Sequence, residues 1–140
     1  MANTIQVDIV SAEGEIFSGP AKMVFLPASQ GEIGVSARHA PLLSLLKPGE
    51  VRVQPEDGEE QHFYVGGGAL EVQPNRVTVL ADTAARAKDL DESKALEARA
   101  RAEEALAGNL DKITQAEALA ELARAAAQLK MIERLRKVRG

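Results

Sequence analysis

The chain has 140 residues, the length of one domain or of a small domain with an appendage. With 45% hydrophobic and 27% charged residues it is neither a disordered polyelectrolyte nor a membrane-embedded chain, and we expect a folded, soluble protein. The absence of cysteine excludes disulfides, zinc-thiolate sites and a cysteine nucleophile, and a net charge of -4 argues against a nucleic-acid-binding protein.

The composition changes near residue 84. All six prolines and nine of the eleven glycines lie at or before Pro74. Residues 1–84 hold five basic and eleven acidic side chains, whereas residues 85–140 hold twelve and ten. Valine, isoleucine and threonine concentrate in the first part and alanine in the second. We therefore expect a β domain over 1–84 and an α-helical domain over 85–140.

Neither a signal peptide nor an apolar run long enough for a membrane span is apparent in the sequence.

In the first domain apolar residues alternate with polar ones along short segments, which is typical of strands with one buried face. Glycine, proline and asparagine separate these segments at turn spacing. The pattern predicts eight to ten short antiparallel strands in a β-sandwich or flattened barrel. Gly66 to Gly68 precede a strand and no Gly-Lys-Ser/Thr follows, so they predict a bulge or a close strand crossing, not a phosphate loop. The alternating positions are Ile5, Val7 and Ile9; Met23 and Phe25; Val51 and Val53; Leu70 and Val72; and Val77 and Val79.

The second domain begins with a helix signal. Asp89 followed by Glu92 predicts a capping box, with a first helix from about Leu90 to Leu106. Gly108-Asn109 supplies the C-terminal stop.

A second helix then starts at Asp111 or at Thr114 to Glu117 and runs toward Val138. The two form an antiparallel hairpin, so the expected fold class is α+β.

Two apolar stripes mark the helices. One consists of alanines that let the helices approach closely while burying little apolar surface, so the hairpin is expected to open as well as close. The other recurs at near-heptad spacing and needs a separate partner, either the β domain or another protein. The alanine stripe comprises Ala95, Ala98, Ala102 and Ala105 on the first helix and Ala116, Ala120, Ala123 and Ala127 on the second; the other stripe is Leu119, Leu122, Ala126, Leu129, Ile132 and Leu135.

The end of the second helix is a basic tip with a net charge of plus four. It is either dipole compensation at a helix C-terminus or a binding surface, and composition alone leaves both open. Its residues beyond Gln128 are Lys130, Arg134, Arg136, Lys137 and Arg139 against Glu133.

Candidate catalytic groups are few. His62 is expected at the surface or rim, on the same strand face as Tyr64, and His39 lies in a loop. No histidine pair has zinc-ligand spacing, and Glu59-Glu60 is expected to be solvated charge in a turn. We predict neither catalytic residues nor a metal site.

The order of several short motifs is specific. Together they resemble the epsilon subunit of bacterial rotary ATP synthase, and the resemblance spans essentially the whole chain. The segments are Ser11-Ala12-Glu13, Gly31-Glu32-Ile33-Gly34, His39-Ala40-Pro41-Leu42-Leu43, Lys47-Pro48-Gly49, Gly67 to Val72, Val77 to Asp82, and Ala120-Glu121-Leu122-Ala123-Arg124.

The resemblance implies a non-catalytic central-stalk subunit of the proton-translocating enzyme. The β domain would sit on the gamma subunit and on the membrane rotor ring of c subunits, with Glu32, Arg38 and His39 approaching the ring. The subunit would be peripheral, on the cytoplasmic face of the bacterial inner membrane, with no direct insertion into the bilayer and no nucleic-acid partner.

The resemblance also implies that the hairpin can fold against the β domain or extend along gamma into the catalytic head of alpha and beta subunits, where it inhibits ATP hydrolysis. The apolar stripe would then dock on gamma while the basic tip meets acidic residues of the head. The residues expected at these contacts are Leu119, Leu122, Leu129, Ile132, Arg124, Lys130, Arg134, Arg136 and Lys137.

Some members of the family bind ATP on the closed hairpin through an (Ile/Leu)-Asp-x-x-Arg-Ala motif and arginines of the second helix. Here Asp91 matches and Lys94 replaces the arginine, while Arg124 matches and Gln128 replaces the second arginine. Because lysine lacks the planar fork and glutamine lacks charge, we expect ATP binding to be absent or weak and no cofactor to be held.

Two other functions compete with this one. A carbohydrate- or peptide-binding sandwich with a helical oligomerisation arm would need exposed aromatic side chains, and only Phe17, Phe25, Phe63 and Tyr64 are available. A small enzyme would need a base and a nucleophile. Co-purification with gamma separates the rotor subunit from both.

Overall fold

The computed structural model describes residues 3–108 and 114–139, with side chains up to residue 137. Contacts between residues divide the chain after Ala87 into two compact units. The first unit is built of strands and the second of helices.

Eight strands form the first unit. They are β1 (Ile5–Ser11), β2 (Gly14–Ala21), β3 (Met23–Ala28), β4 (Gly31–Val35), β5 (Leu42–Gln54), β6 (Gln61–Gln73), β7 (Arg76–Ala81) and β8 (Ala84–Arg86).

The strands make one continuous, sandwich-like sheet in the order β2-β1-β7-β6-β5-β3-β4, with β8 paired to β6. The predicted α+β fold is thus confirmed, although β5 and β6 are long strands of 13 residues each. Of the pairings in the described residues, β1 with β7 is parallel, from Gln6 opposite Arg76 to Val10 opposite Leu80. The prediction of antiparallel strands was wrong for this pair, because a short turn sets strand direction only between sequence neighbours.

The alternating pattern locates the core in four of the five segments. The side chains at these positions in β1, β5, β6 and β7 are at most 1% exposed. In β3 the prediction was wrong: Val24 and Leu26 are buried, whereas Met23 and Phe25 are only half-buried. Met23 to Leu26 are all apolar, so alternation cannot say which face turns inward.

The glycine run lies in β6 at the end of its pairing with β7, where Gly68 lies opposite Ala81. Gly67 and Gly68 have φ angles of 100° and 135°, which favour glycine. A Cβ added to Gly68 would meet Ala81 Cα at 2.9 Å. β6 and β7 therefore approach closely at this point, but as paired neighbours in one sheet and not as crossing strands.

Two helices form the second unit, α1 (Glu92–Leu106) and α2 (Gln115–Arg139), after a short 3-10 turn at Ala87–Asp89. Asp91, not Asp89, caps α1, because its side chain accepts a hydrogen bond from the Lys94 amide at 3.2 Å. Beyond α1, Gly108 has a φ of 133° and its amide donates to Ala105, as expected of a helix stop.

The Thr114 hydroxyl accepts from the Glu117 amide at 3.1 Å and caps α2. The alternative start at Asp111, like Asn109 of the predicted stop, falls outside the described residues.

The helices pack as a hairpin, but the alanine stripe is confirmed only on α1, where Ala95, Ala102 and Ala105 are buried. On α2 the expected stripe was wrong. Ala116, Ala120 and Ala123 are exposed, and the buried residues are instead Ala118, Ala125 and Met131. α2 contains so many alanines that several stripes satisfy helical spacing, and only the packing against α1 selects one.

Candidate interaction sites

One end of the sheet exposes large apolar side chains. At the start of β5, Leu43 is 77% exposed, Leu45 is 68% exposed and Leu42 is 37% exposed. This strand end carries leucine on both faces, so whichever face is buried, the other remains in water. Clustered exposed leucines on a small domain mark an interaction surface.

The leucines share a cavity with one of the predicted contact residues. Residues 28–33 and 42–45 line a cavity of about 460 Å³ that includes Glu32 and Ile33 of β4. We call Glu32, Leu42, Leu43 and Leu45 the leucine patch. It combines apolar area with one carboxylate at its edge.

Glu32 is held by a cation. Arg52 Nη2 lies 3.2 Å from Glu32 Oε1, and the Arg52 guanidinium stacks over the Phe25 ring at 4.3 Å from its centroid. Because the ring and the carboxylate together fix the guanidinium, Arg52 orients Glu32 at the edge of the leucine patch.

The same arginine begins a wider polar network. Glu60 Oε2 lies 3.9 Å from Arg52 Nη1 and accepts a hydrogen bond from Gln54 at 2.8 Å. His62 Nδ1 is 3.0 Å from Glu50 Oε2, and its Nε2 is 3.5 Å from Glu60 Oε1. The expectation that Glu60 is merely solvated charge was therefore wrong, because it joins β5 to the start of β6.

The other two predicted ring-contact residues do not line this cavity. Arg38 is exposed and has a positive φ of 68°, with its amide donating to the Pro74 carbonyl at 2.7 Å. His39 Nδ1 lies 2.7 Å from the carbonyl oxygen of Ala40. Both residues belong to the loop between β4 and β5, which the Pro74 contact ties to the turn before β7.

Ion pairs between described residues join the two helices of the second unit. Arg136 Nη2 of α2 lies 2.8 Å from Glu92 Oε2 in the first turn of α1. Arg101 Nη2 of α1 lies 3.2 Å from Glu121 Oε1 of α2. These contacts place the basic tip beside the start of α1, as an antiparallel hairpin requires.

The structure places the remaining predicted head-contact residues on α2 with different exposures. Leu119 is 51% exposed, and Lys137 is paired with Glu133 at 3.4 Å. Less of the apolar stripe is exposed to a partner than the sequence suggested, since only Leu119 and Ala126 of its six residues are exposed. The half-buried residues are Leu122, Arg124, Leu129, Ile132, Arg134 and Leu135, and the exposed ones include Lys130, Arg136 and Lys137.

The degenerate nucleotide motif is divided between the helices. Asp91 caps α1, so one of its carboxylate oxygens is already engaged by a backbone amide. Lys94 is exposed on α1, and Arg124 is half-buried on α2. These positions are compatible with the predicted weakness of ATP binding, which stays a prediction.

Within residues 3–108 and 114–139, no group of three or more potential metal ligands comes together. In that same portion of the chain, neither helix is both long and apolar enough to cross a membrane.

Sequence reasoning missed several functional candidates. Arg52 was not recognised as the partner of Glu32, nor Glu92 as the partner of Arg136, because neither pair is close in sequence. Leu45 was also missed, although the leucine-rich start of β5 is a visible signal for exposed apolar area.

Comparisons with known proteins agree with this architecture. The model of the ATP synthase delta/epsilon chain β-sandwich domain matches residues 4–87, and that of the delta/epsilon chain long α-helix domain matches residues 88–133. The ATP synthase epsilon chain of Nitrosococcus oceani is 61% identical over 140 residues, covering 100% of both chains.

Two solved structures share the fold. A chain in the Euglena gracilis mitochondrial ATP synthase, determined as OSCP/F1/c-ring, has a TM-score of 0.70 at 21% identity, covering 100% of this chain and 84% of that one. A chain from the central stalk/c-ring structure of the Tetrahymena thermophila mitochondrial ATP synthase has a TM-score of 0.64 at 13% identity, with coverages of 91% and 96%.

Matches to both domain models in order, and the identity across the full length, show that the chain belongs to the ATP synthase epsilon chain family, whose members are non-catalytic subunits of that enzyme.

Proposed function

We propose that this chain is a central-stalk subunit of a bacterial proton-translocating ATP synthase. Its sheet docks on gamma and on the rotor ring of c subunits, and its helical hairpin inhibits ATP hydrolysis by contacting gamma and the alpha and beta subunits. Family membership supports the assembly, as do the ring and stalk in which the two structural neighbours were solved. The complex would hold the chain peripherally on the cytoplasmic face of the inner membrane.

The leucine patch is the main structural support for the proposed docking of the sheet on gamma and the ring. Two leucines that are more than two-thirds exposed represent apolar area that a partner would remove from water. Glu32 at the edge, held by Arg52, offers an oriented acceptor for polar groups of the ring loops. Arg38 and His39 lie in the preceding loop and are proposed to contribute at the rim.

Docking is tested with L43S/L45S in the assembled enzyme. The control is L80S, which removes a leucine that is 55% exposed on β7. We expect the double variant to bind the ring and gamma complex at least about tenfold more weakly and to uncouple ATP hydrolysis from proton pumping, because apolar contact area is lost. If the L43S/L45S variant binds the ring and gamma complex with wild-type affinity, docking through this patch is contradicted.

Inhibition is proposed to come from the extended hairpin. At about 1.5 Å per residue, α1 and α2 with 15 and 25 residues would span roughly 60 Å if laid end to end. The basic tip would then meet acidic residues of the catalytic head, while the apolar residues of α2 bury against gamma.

The inhibition is tested by R134Q/K137Q, which removes two tip charges. The control K88Q/R99Q removes two charges elsewhere in the helical unit. We expect ATP hydrolysis of the complex to rise several-fold in the first variant and to stay at the wild-type level in the second, since charge contacts with a partner depend on position. Equal hydrolysis rates in the two variants would refute the proposed role of the tip.

A further inference from the structure

The helical hairpin is closed by an ion pair at each end and by small side chains between them. Glu92 with Arg136 lies at the open end, and Arg101 with Glu121 lies toward the connecting loop. The buried residues of the seam are mostly alanines. Each alanine removes little apolar area from water, so the ion pairs form a larger share of the closing interactions than they would beside a leucine seam.

We propose that the Glu92–Arg136 ion pair is a latch that holds the hairpin closed. While the pair is formed, Arg136 is bound to Glu92 and is not available to the acidic residues of the catalytic head. The restraint is a property of the chain itself, whereas its consequence for ATP hydrolysis rests on the proposed function. Arg136 would have two alternative carboxylate partners, one within the hairpin and one outside it.

The exposure of the pair suits this role. The Arg136 side chain is 65% exposed and that of Glu92 is 46% exposed, so water and salt screen the attraction between them. A pair of this kind is formed and broken at small cost, and an acidic surface with several carboxylates would displace one glutamate. A buried pair could not exchange in this way, because breaking it would leave an unpaired charge in the interior.

Helix position adds to the argument. Glu92 is in the first turn of α1, where the helix dipole favours a carboxylate, and Arg136 is in the last turn of α2, where it favours a cation. The antiparallel arrangement brings these two favoured charges together. Opening the hairpin separates the two side chains, but each remains at its own helix end and still compensates the helix dipole there. The ion pair can therefore break without leaving either helix dipole uncompensated.

The restraint is tested first in the free full-length chain. Because the protein lacks cysteine, spin labels at E97C and K130C, both exposed positions on the two helices, report the distance between α1 and α2. We expect E92Q to raise the open fraction about two- to fivefold at low ionic strength, the range expected for an exposed ion pair. The matched control E117Q removes a first-turn glutamate of α2 at the other end of the hairpin and should leave the distance distribution unchanged.

Charge reversal separates the pair from general effects of substitution. R136E should open the hairpin, and E92R/R136E should move the distance distribution back toward that of the wild type. The return is expected to be partial, because both reversed charges oppose their helix dipoles. R101E, alone and with E121R, provides the same comparison at the loop end without altering the tip. An E92R/R136E chain as open as R136E, or an E92Q distribution identical to that of wild type, would overturn the latch.

The consequence for the enzyme is measured in the assembled complex. E92Q keeps every basic residue of the tip, so we expect about two- to fivefold stronger inhibition of ATP hydrolysis than in wild type, while E117Q stays at the wild-type level. An increase in hydrolysis would overturn the idea that Glu92 competes with the head. If E92Q opens the free chain but neither it nor R134Q/K137Q alters hydrolysis, the inhibitory function fails while the restraint stands.

Discussion

At Gly68 the backbone has a φ of 135°, and β7 passes so close that a methyl group would touch the backbone of Leu80 and Ala81. Gly14 also has a positive φ, of 129°, but no atom lies within 4 Å of the position of a Cβ. A substitution at Gly14 would therefore meet backbone strain alone, whereas one at Gly68 would meet both backbone strain and steric overlap.

We predict that Gly68→Ala lowers the free energy of unfolding by at least about 3 kcal/mol, because backbone strain and overlap with β7 add together. Gly14→Ala should cost only about 1 kcal/mol, from the positive φ alone. Urea unfolding of the two variants measures the difference, and equal losses of stability would show that β7 moves aside at little cost.

Asp8 is a second residue whose surroundings have a measurable consequence. The Ser18 hydroxyl donates to its carboxylate at 2.7 Å, Gln6 donates at 3.1 Å, and the Arg76 guanidinium pairs with it. The pKa of Asp8 lies below its ordinary value of 3.8. The largest cause is the hydrogen bond from Ser18, and the hydrogen bond from Gln6 and the charge of Arg76 act in the same direction, whereas burial opposes them. These contacts join β1 to β2 and β7.

Because the pKa of Asp8 is lower in the folded than in the unfolded protein, its carboxylate stabilises the fold at neutral pH. This contribution is lost as the pH falls below about 4 and through the folded value. We expect Asp8→Asn to lower the free energy of unfolding at pH 7 by about 1–2 kcal/mol, with the gap to wild type narrowing toward pH 3. Glu15→Gln, an exposed control on β2, should stay within about 0.5 kcal/mol. A gap between Asp8→Asn and wild type that does not change with pH would contradict this explanation.

At the scale of elements, the helices meet where Ala118 and Ala125 of α2 face α1. Ala118 is fully buried, whereas Ala120, two residues further along the same helix, is exposed. Burial of alanines at these positions lets the two helices approach closely, and a longer side chain would push them apart.

We predict that Ala118→Leu loosens the hairpin, costing about 1–3 kcal/mol in the local opening free energy of the helical unit through overpacking. Ala120→Leu should change it by less than about 0.5 kcal/mol, because the added side chain points into water. Amide hydrogen exchange of α1 and α2 reports both values. Faster exchange in Ala120→Leu than in Ala118→Leu would favour the alanine stripe that the sequence suggested.

At the scale of the molecule, the main core is contained in one unit. The cluster of buried residues runs from Ile5 to Ala81, and the partly buried side chains packed on it end at Ala84. The described members of this cluster all belong to the first unit. The sheet should therefore keep its core when the helices are removed.

We predict that a fragment ending at Ala87 folds and unfolds cooperatively, and that in the assembled enzyme it keeps binding to gamma and the ring while losing inhibition of ATP hydrolysis. Amide exchange of β5 and β6 in the fragment measures the first outcome, and hydrolysis rates measure the second. Unprotected amides in these strands would show that the sheet depends on the helices.

The sequence alone determined the nature and order of the elements. Period-two alternation at Val77 and Val79 and the alanine content after residue 84 are local properties, so strands and helices followed from them. The ordered motifs led to the family by resemblance, and the identity over the full chain confirmed it.

Only the tertiary structure decided how distant segments align. It set β1 parallel to β7, turned Val24 and Leu26 inward, buried Ala118 in place of Ala120, and joined Glu32 to Arg52 and Glu92 to Arg136. Each outcome depends on the register between residues far apart in the chain. Where β3 and α2 are apolar at nearly every position, several registers satisfy the local pattern, and the packing of the whole core selects one.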